Sequence, residues 1–134
     1  MMKLATSAFL LSAALLVAGA ATQLGAMPAA KAQGDPVAGQ KVFQARCAMC
    51  HGKTAEGGAL APTLHGAFNA KAASRSFPRY STALRGSELV WTEANLDSFL
   101  QGPKKLVPGT LMYAAIPQAT DRHNVIAYIS TLKP

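Results

Sequence analysis

The stretch Asp35-Pro36-Val37-Ala38-Gly39-Gln40-Lys41-Val42-Phe43-Gln44-Ala45-Arg46-Cys47-Ala48-Met49-Cys50-His51 decides how the rest of the chain is read. Asp35 can cap a helix, Pro36 suits the first helical position, and Val42 and Phe43 give it an apolar face. The helix is expected to run to about Cys47, so a C-x-x-C-H motif follows a helix and leads into a loop. A redox thiol pair of the thioredoxin kind needs the reverse order, with a strand before the first cysteine and a helix starting at it. A zinc site wants a second pair of ligands, and Cys47 and Cys50 are the only two cysteines.

What precedes the motif sets the compartment. Lys3 is followed by an apolar run from Leu4 to about Ala21, then by Met27-Pro28-Ala29-Ala30-Lys31-Ala32. Small residues at Ala30 and Ala32 fit a signal-peptidase site, with Ala18-Gly19-Ala20 as a rival, so residues 1–32 are expected to be a signal peptide. The alternative is a retained anchor, since the run is only a little short of a bilayer span. Gly25, Pro28 and the alanine pairs favour cleavage and export to the periplasm. In an exported chain, C-x-x-C-H reads as a covalent haem site. Two thiols two residues apart each add to a haem vinyl group, and His51 is directed at the iron.

Residues 33–134 then form a single domain. Removal of the leader takes two of thirteen basic residues and none of six acidic ones, which leaves 102 residues and a net charge of +5. That charge fits an acidic partner or an anionic surface. Nucleic acid is excluded as a partner by the compartment and by the lack of an Arg-rich run. About 100 residues is short for a self-sufficient core, and a buried cofactor would supply apolar bulk.

Outward from the motif the pattern is helical. A helix is expected after Thr92, with Leu96, Phe99 and Leu100, stopping at Gly102-Pro103. Another starts near Asp121 and carries Val125, Tyr128, Ile129 and Leu132. A shorter turn is signalled between Tyr80 and Ser87. Gly- and Pro-rich loops fill 52–76 and 101–120, and alternating strand patterns are absent. The fold class is all-α, with three main helices and long loops that need something to wrap around.

The iron's second axial position has a candidate by elimination. Of the mature chain's two methionines, Met49 lies inside the attachment loop and cannot reach the opposite haem face. Met112 can, from a loop stiffened by Pro103 and Pro108 and turned at Gly109. Bis-histidine ligation through His65 or His123 is the competing arrangement. His65 is expected to make a structural hydrogen bond in its turn, and His123 to be solvated. Pro62 either offers its carbonyl to the His51 ring or merely stiffens a loop, and composition does not choose.

With these residues in hand, the chain resembles the small class I cytochromes c, the family of mitochondrial cytochrome c and its bacterial periplasmic relatives. The likeness runs from Gly34 to about Lys133. It rests on Gly39 and Phe43, Cys47-x-x-Cys50-His51, Pro62-Thr63-Leu64-His65-Gly66, Tyr80, Trp91, Pro103-Lys104-Lys105, the Pro-Gly-Thr-Leu-Met run ending at Met112, and Ile126-Ala127-Tyr128. The resemblance implies a first and last helix crossing where Gly39 and Phe43 meet Tyr128. It also implies one covalent haem c with His51 and Met112 as axial ligands, and the Pro62 carbonyl as partner of His51. Tyr80 and Trp91 are implied to hydrogen-bond a haem propionate. Departures from the family pattern are Phe99 for Tyr, Leu84 for Asn, Ala114 for Phe and Ala70 for Arg, which make the haem surroundings less polar.

The implied function is single-electron transfer rather than enzymatic catalysis. Docking would use an exposed haem edge rimmed by Lys53, Lys71, Lys104 and Lys105. Partners of that kind include a quinol–cytochrome c reductase, an oxidase or a dehydrogenase. The expected state is a monomer, touching the membrane only if the leader is retained. The alternatives are a haem peroxidase or gas sensor with a labile Met112, or the electron-accepting subunit of one periplasmic dehydrogenase.

Overall fold

The computed structural model describes residues 34–134; the expected signal peptide lies outside them. Helix α1 spans Pro36–Arg46, and the Asp35 carboxylate accepts from the Val37 N–H at 2.8 Å. Cys47 ends it by donating its N–H to the Phe43 carbonyl at 2.8 Å. One further turn, α2 at Ala48–His51, carries the rest of the motif and is stopped by Gly52 at φ +82.

Two short turns and one longer helix follow. Helix α3 at Thr82–Arg85 is capped by the Ser81 hydroxyl, within the segment where a turn was expected. Helix α4 at Glu93–Gln101 starts at the Thr92 hydroxyl and buries Leu96, Phe99 and Leu100. The segment read as a loop from 101 holds another turn, α5 at Pro103–Leu106, which opens on a proline. It was hidden because Gly102-Pro103 is both a helix stop and a helix start.

Helix α6 at Ala119–Thr131 begins two residues before the expected Asp121, and no side chain caps it. The reason lies one turn in. Arg122 is 5% exposed and sends Nη1 back to the Ile116 and Pro117 carbonyls at 3.0 and 2.7 Å, with Nε on Asp97 of α4 at 2.7 Å. The guanidinium therefore fixes where the chain enters the helix.

Helices α1 and α6 cross at close range. A Cβ on Gly39 would collide with the Asn124 carbonyl and stand 3.0 Å from the Tyr128 Cβ. Beside it, the Phe43 and Tyr128 rings meet with centroids 5.3 Å apart. Phe43, Val125 and Ile126 are fully buried there, and Leu96, Leu100, Ile116 and Ile129 extend the same core. Among the described residues the only strand pairing is an isolated bridge between Lys71 and Val90. None of the described helices is long and apolar enough to cross a membrane.

Candidate functional site

The loops and helix ends enclose a cavity of about 460 Å³. Its wall includes Cys47, Cys50, His51, Tyr80, Trp91 and Met112, which the fold gathers from four separate stretches of chain. Most of the remaining wall is apolar, with Phe99, Leu84 and Ala114 among it.

The two cysteines are not bonded to each other. Burial pushes the Cys47 thiol up to about 11, against the pull of the Arg46 charge and with a smaller push from Cys50. A thiol that stays protonated at neutral pH is a poor nucleophile, unlike the depressed thiol of an exchange enzyme.

The His51 ring stands with Nδ1 2.8 Å from the Pro62 carbonyl oxygen. A carbonyl only accepts, so Nδ1 carries the proton and Nε2 keeps its lone pair. Burial lowers the His51 pKa below the usual imidazole value, with the Pro62 bond opposing it, so the neutral ring is favoured. The loop that presents Pro62 is held by its own backbone. Gly57 donates to the His51 carbonyl at 2.7 Å, Leu64 donates to the Ala55 carbonyl at 2.9 Å, and the Thr63 hydroxyl joins the same oxygen at 3.1 Å. At φ +84, Gly57 passes so close to the Thr63 nitrogen that a Cβ would not fit.

Met112 is half-buried in the same wall, and its N–H donates to the Thr110 hydroxyl at 3.3 Å. Its loop is anchored on both sides. Thr110 donates to Val107 at 3.0 Å, Ile116 donates to the Leu100 carbonyl at 2.7 Å, and Arg122 grips the two carbonyls beyond. Met49, by contrast, is 89% exposed.

Tyr80 lies edge-on to Phe77 at 5.3 Å, with the Arg85 guanidinium 5.5 Å from its ring. Burial raises the Tyr80 pKa, against a backbone hydrogen bond from Arg75 and the charges of Arg75 and Arg85, so its hydroxyl remains a donor at neutral pH. Trp91 packs on Phe99 at 4.9 Å, and its backbone pairs with Ala70 and Asn69.

The remaining residues divide. His65 points its two ring nitrogens at the Thr54 and Lys133 carbonyls, at 2.8 and 2.9 Å, and so ties the loop after α2 to the chain end. His123 is partly exposed and lies 3.7 Å from Asp97. Neither lines the cavity. Of the four lysines expected at a rim, Lys71 reaches the cavity wall, paired with Glu88 at 2.8 Å. Lys53, Lys104 and Lys105 are exposed and stand outside the wall.

Cations that the sequence did not single out join Lys71 in the wall. Arg46, Arg75 and Arg79 line the cavity, and the Arg75 Nε is buried without a hydrogen-bond partner. Ala70 is not part of the wall. A flat apolar ring bearing carboxylates matches this wall, with apolar contacts for its faces and a buried, unpartnered guanidinium N–H for its acids.

The model of the Cytochrome c family matches residues 36–133. The chain belongs to the cytochrome c family. It is 43% identical to the cytochrome c2 of Rhodomicrobium vannielii, over 76% of this chain and 82% of that protein. It is 44% identical to the cytochrome c2 of Rhodoblastus acidophilus, over 75% of this chain and 94% of that one. Among solved structures it resembles cytochrome cH from Methylobacterium extorquens, with a TM-score of 0.67 and 39% identity, over 73% of this chain and 99% of that one. The all-α architecture is the class I cytochrome c fold, and the family's cofactor is a covalently bound haem c. Cys47 and Cys50 stand in the spacing that such attachment requires. The chain is an electron carrier.

Proposed function

We propose that residues 33–134 carry single electrons between exported or membrane-bound redox proteins, with His51 and Met112 as the axial ligands of the haem iron. Cys47 and Cys50 form the thioether links. The observation that carries this reading is the His51 ring, tied by Nδ1 to Pro62 with its other nitrogen left for metal, in the same cavity wall as the Met112 thioether.

When bound, the haem supplies a one-electron iron couple, and His/Met ligation places it at high potential. The chain's own work is to hold still. The Pro62 carbonyl fixes the tautomer and plane of His51, which also raises its strength as a donor. The hydrogen bonds around Thr110, Ile116 and Arg122 keep Met112 in place, so that little has to move when charge changes. Phe99, Leu84 and the rest of the apolar wall would exclude water from the haem and so disfavour its more positive ferric state. Tyr80 and Trp91 supply O–H and N–H donors for a haem carboxylate.

With His51 and Met112 both given to the iron, no site would remain for peroxide or a gas, which favours electron transfer over peroxidase or gas-sensing chemistry. Lys53, Lys71, Lys104 and Lys105 steer an acidic face of a reductase, an oxidase or a dehydrogenase to the haem edge, in weak, fast and salt-sensitive encounters. The mature chain is a monomer in the periplasm, freed by cleavage after Ala32.

Absorption spectra of the oxidised and reduced protein test the assignment. A weak far-red band in the oxidised form reports the Met–iron bond, and pigment that stays with the protein in acidified acetone reports covalent attachment. Absence of the far-red band favours the labile-Met alternative. Pigment extracted by the acid overturns the thioether links.

A further inference from the structure

We infer that Arg75 is the principal cationic partner of a haem carboxylate and sets the redox potential of this chain. The inference rests on the covalent haem c of the family, not on the identity of the sixth ligand.

The cavity wall shows why. The Arg75 Nε is buried and has no hydrogen-bond partner, the only side-chain nitrogen or oxygen in that condition among the described residues. Its Nη1 lies beside the turn at Gly66, where a Cβ would stand 3.1 Å from it. That turn is itself tied to the end of α6, through the Gly66 N–H on the Leu132 carbonyl at 2.8 Å. The ion pairs of Lys71 with Glu88, and of Arg122 and His123 with Asp97, do not involve Arg75. The Tyr80 hydroxyl, which takes a backbone hydrogen bond from Arg75, adds a second donor at the same place.

A buried guanidinium donor with no acceptor is costly to maintain, and an arginine is built to grip a carboxylate through a fork of N–H groups. The haem's acidic side arms are acceptors of that kind. Arg79 forms the contrast. It also lines the cavity, but it is exposed, and its Nη1 is already taken by the Ala59 carbonyl at 3.1 Å. An ionised carboxylate near the iron favours the ferric state, and a cation paired with it cancels that effect. Loss of the cation therefore lowers the potential.

The test uses holoprotein carrying Arg75→Gln, Arg75→Lys or Arg79→Gln, each checked for the same far-red band as wild type. At a fixed applied potential, Arg75→Gln is expected to shift the ferric-to-ferrous ratio on the order of tenfold toward ferric, which is ~59 mV for a one-electron couple. Arg75→Lys is expected to recover part of this, and Arg79→Gln to move the ratio less than about twofold. Infrared spectra with haem labelled at its carboxylate carbons are expected to show a shifted carboxylate band in Arg75→Gln but not in Arg79→Gln. A ratio within twofold of wild type in Arg75→Gln, with an unshifted carboxylate band, overturns the inference. If Arg75→Gln does not retain haem, Arg75→Lys decides: a shifted carboxylate band supports the pairing, and a band identical to wild type rejects it. A wild-type protein without the far-red band would sink the Met112 assignment and leave this test intact.

Discussion

The α1–α6 crossing and the loop wall around the cavity are held together by different physics. At the crossing, Phe43, Val125 and Ile126 are fully buried, and the Gly39 backbone presses against the Asn124 carbonyl. Apolar burial and close packing do most of the holding there. In the loop wall, His51, Tyr80, Trp91 and Met112 are half-buried. Their segments are set by directed polar contacts, among them His65 between two distant carbonyls and Arg122 on Ile116, Pro117 and Asp97. The crossing supplies stability, and the wall supplies position. A carrier needs both, because ligands that shift with charge would slow every transfer.

The sharpest way to break the first region is Phe43→Ala, which removes a fully buried ring. The expected loss is about 3–5 kcal/mol, a large part of the roughly 5–15 kcal/mol that holds an ordinary domain together. Denaturant unfolding followed by helical circular dichroism and by the far-red band should show the two signals failing together.

Arg122→Met attacks the second region. It leaves the Ile116 and Pro117 carbonyls and Asp97 without their donor, at an expected cost of about 2–3 kcal/mol. Here the far-red band should fade at lower denaturant than the helical signal does. Coincident loss would mean that the wall has no independent role in placing Met112.

Glu56→Gln should give the smallest effect and sharpen the comparison at its edge. The Glu56 backbone N–H, the Thr54 hydroxyl and the Thr54 N–H hold this exposed carboxylate below its usual 4.5. A depressed carboxylate adds stability above its unfolded pKa and loses it as pH falls through the folded value. Wild type should therefore exceed the variant slightly at neutral pH, with the gap closing below about pH 4. Unfolding midpoints measured across that range check it; a gap that persists in acid would mean the bonds do not depend on the carboxylate's charge.

The same division explains what could be read in the sequence. Helix α1 was legible in Asp35-Pro36, and α4 in Thr92 and Gly102-Pro103, because caps and stops are local signals. The spacing of Cys47, Cys50 and His51 is local too. Elements fixed by distant partners were not legible in the same way. The start of α6 depends on Arg122 reaching carbonyls outside the helix, and nothing near Asp121 announces it. Arg75 entered the cavity wall unannounced, since a charged residue in a loop looks solvated until the fold surrounds it. For Pro62 the residues alone left two roles open; only family resemblance pointed to its carbonyl, which stands 2.8 Å from the His51 ring.

Proton magnetic resonance of the ferrous holoprotein tests the ligand pair most directly, because a methionine methyl held against a porphyrin face is shifted far upfield by the ring current. A three-proton resonance in that region, lost in Met112→Ala and kept in Met49→Leu, is the expected result. Wild-type protein without such a resonance, or one that survives Met112→Ala, would contradict His/Met ligation.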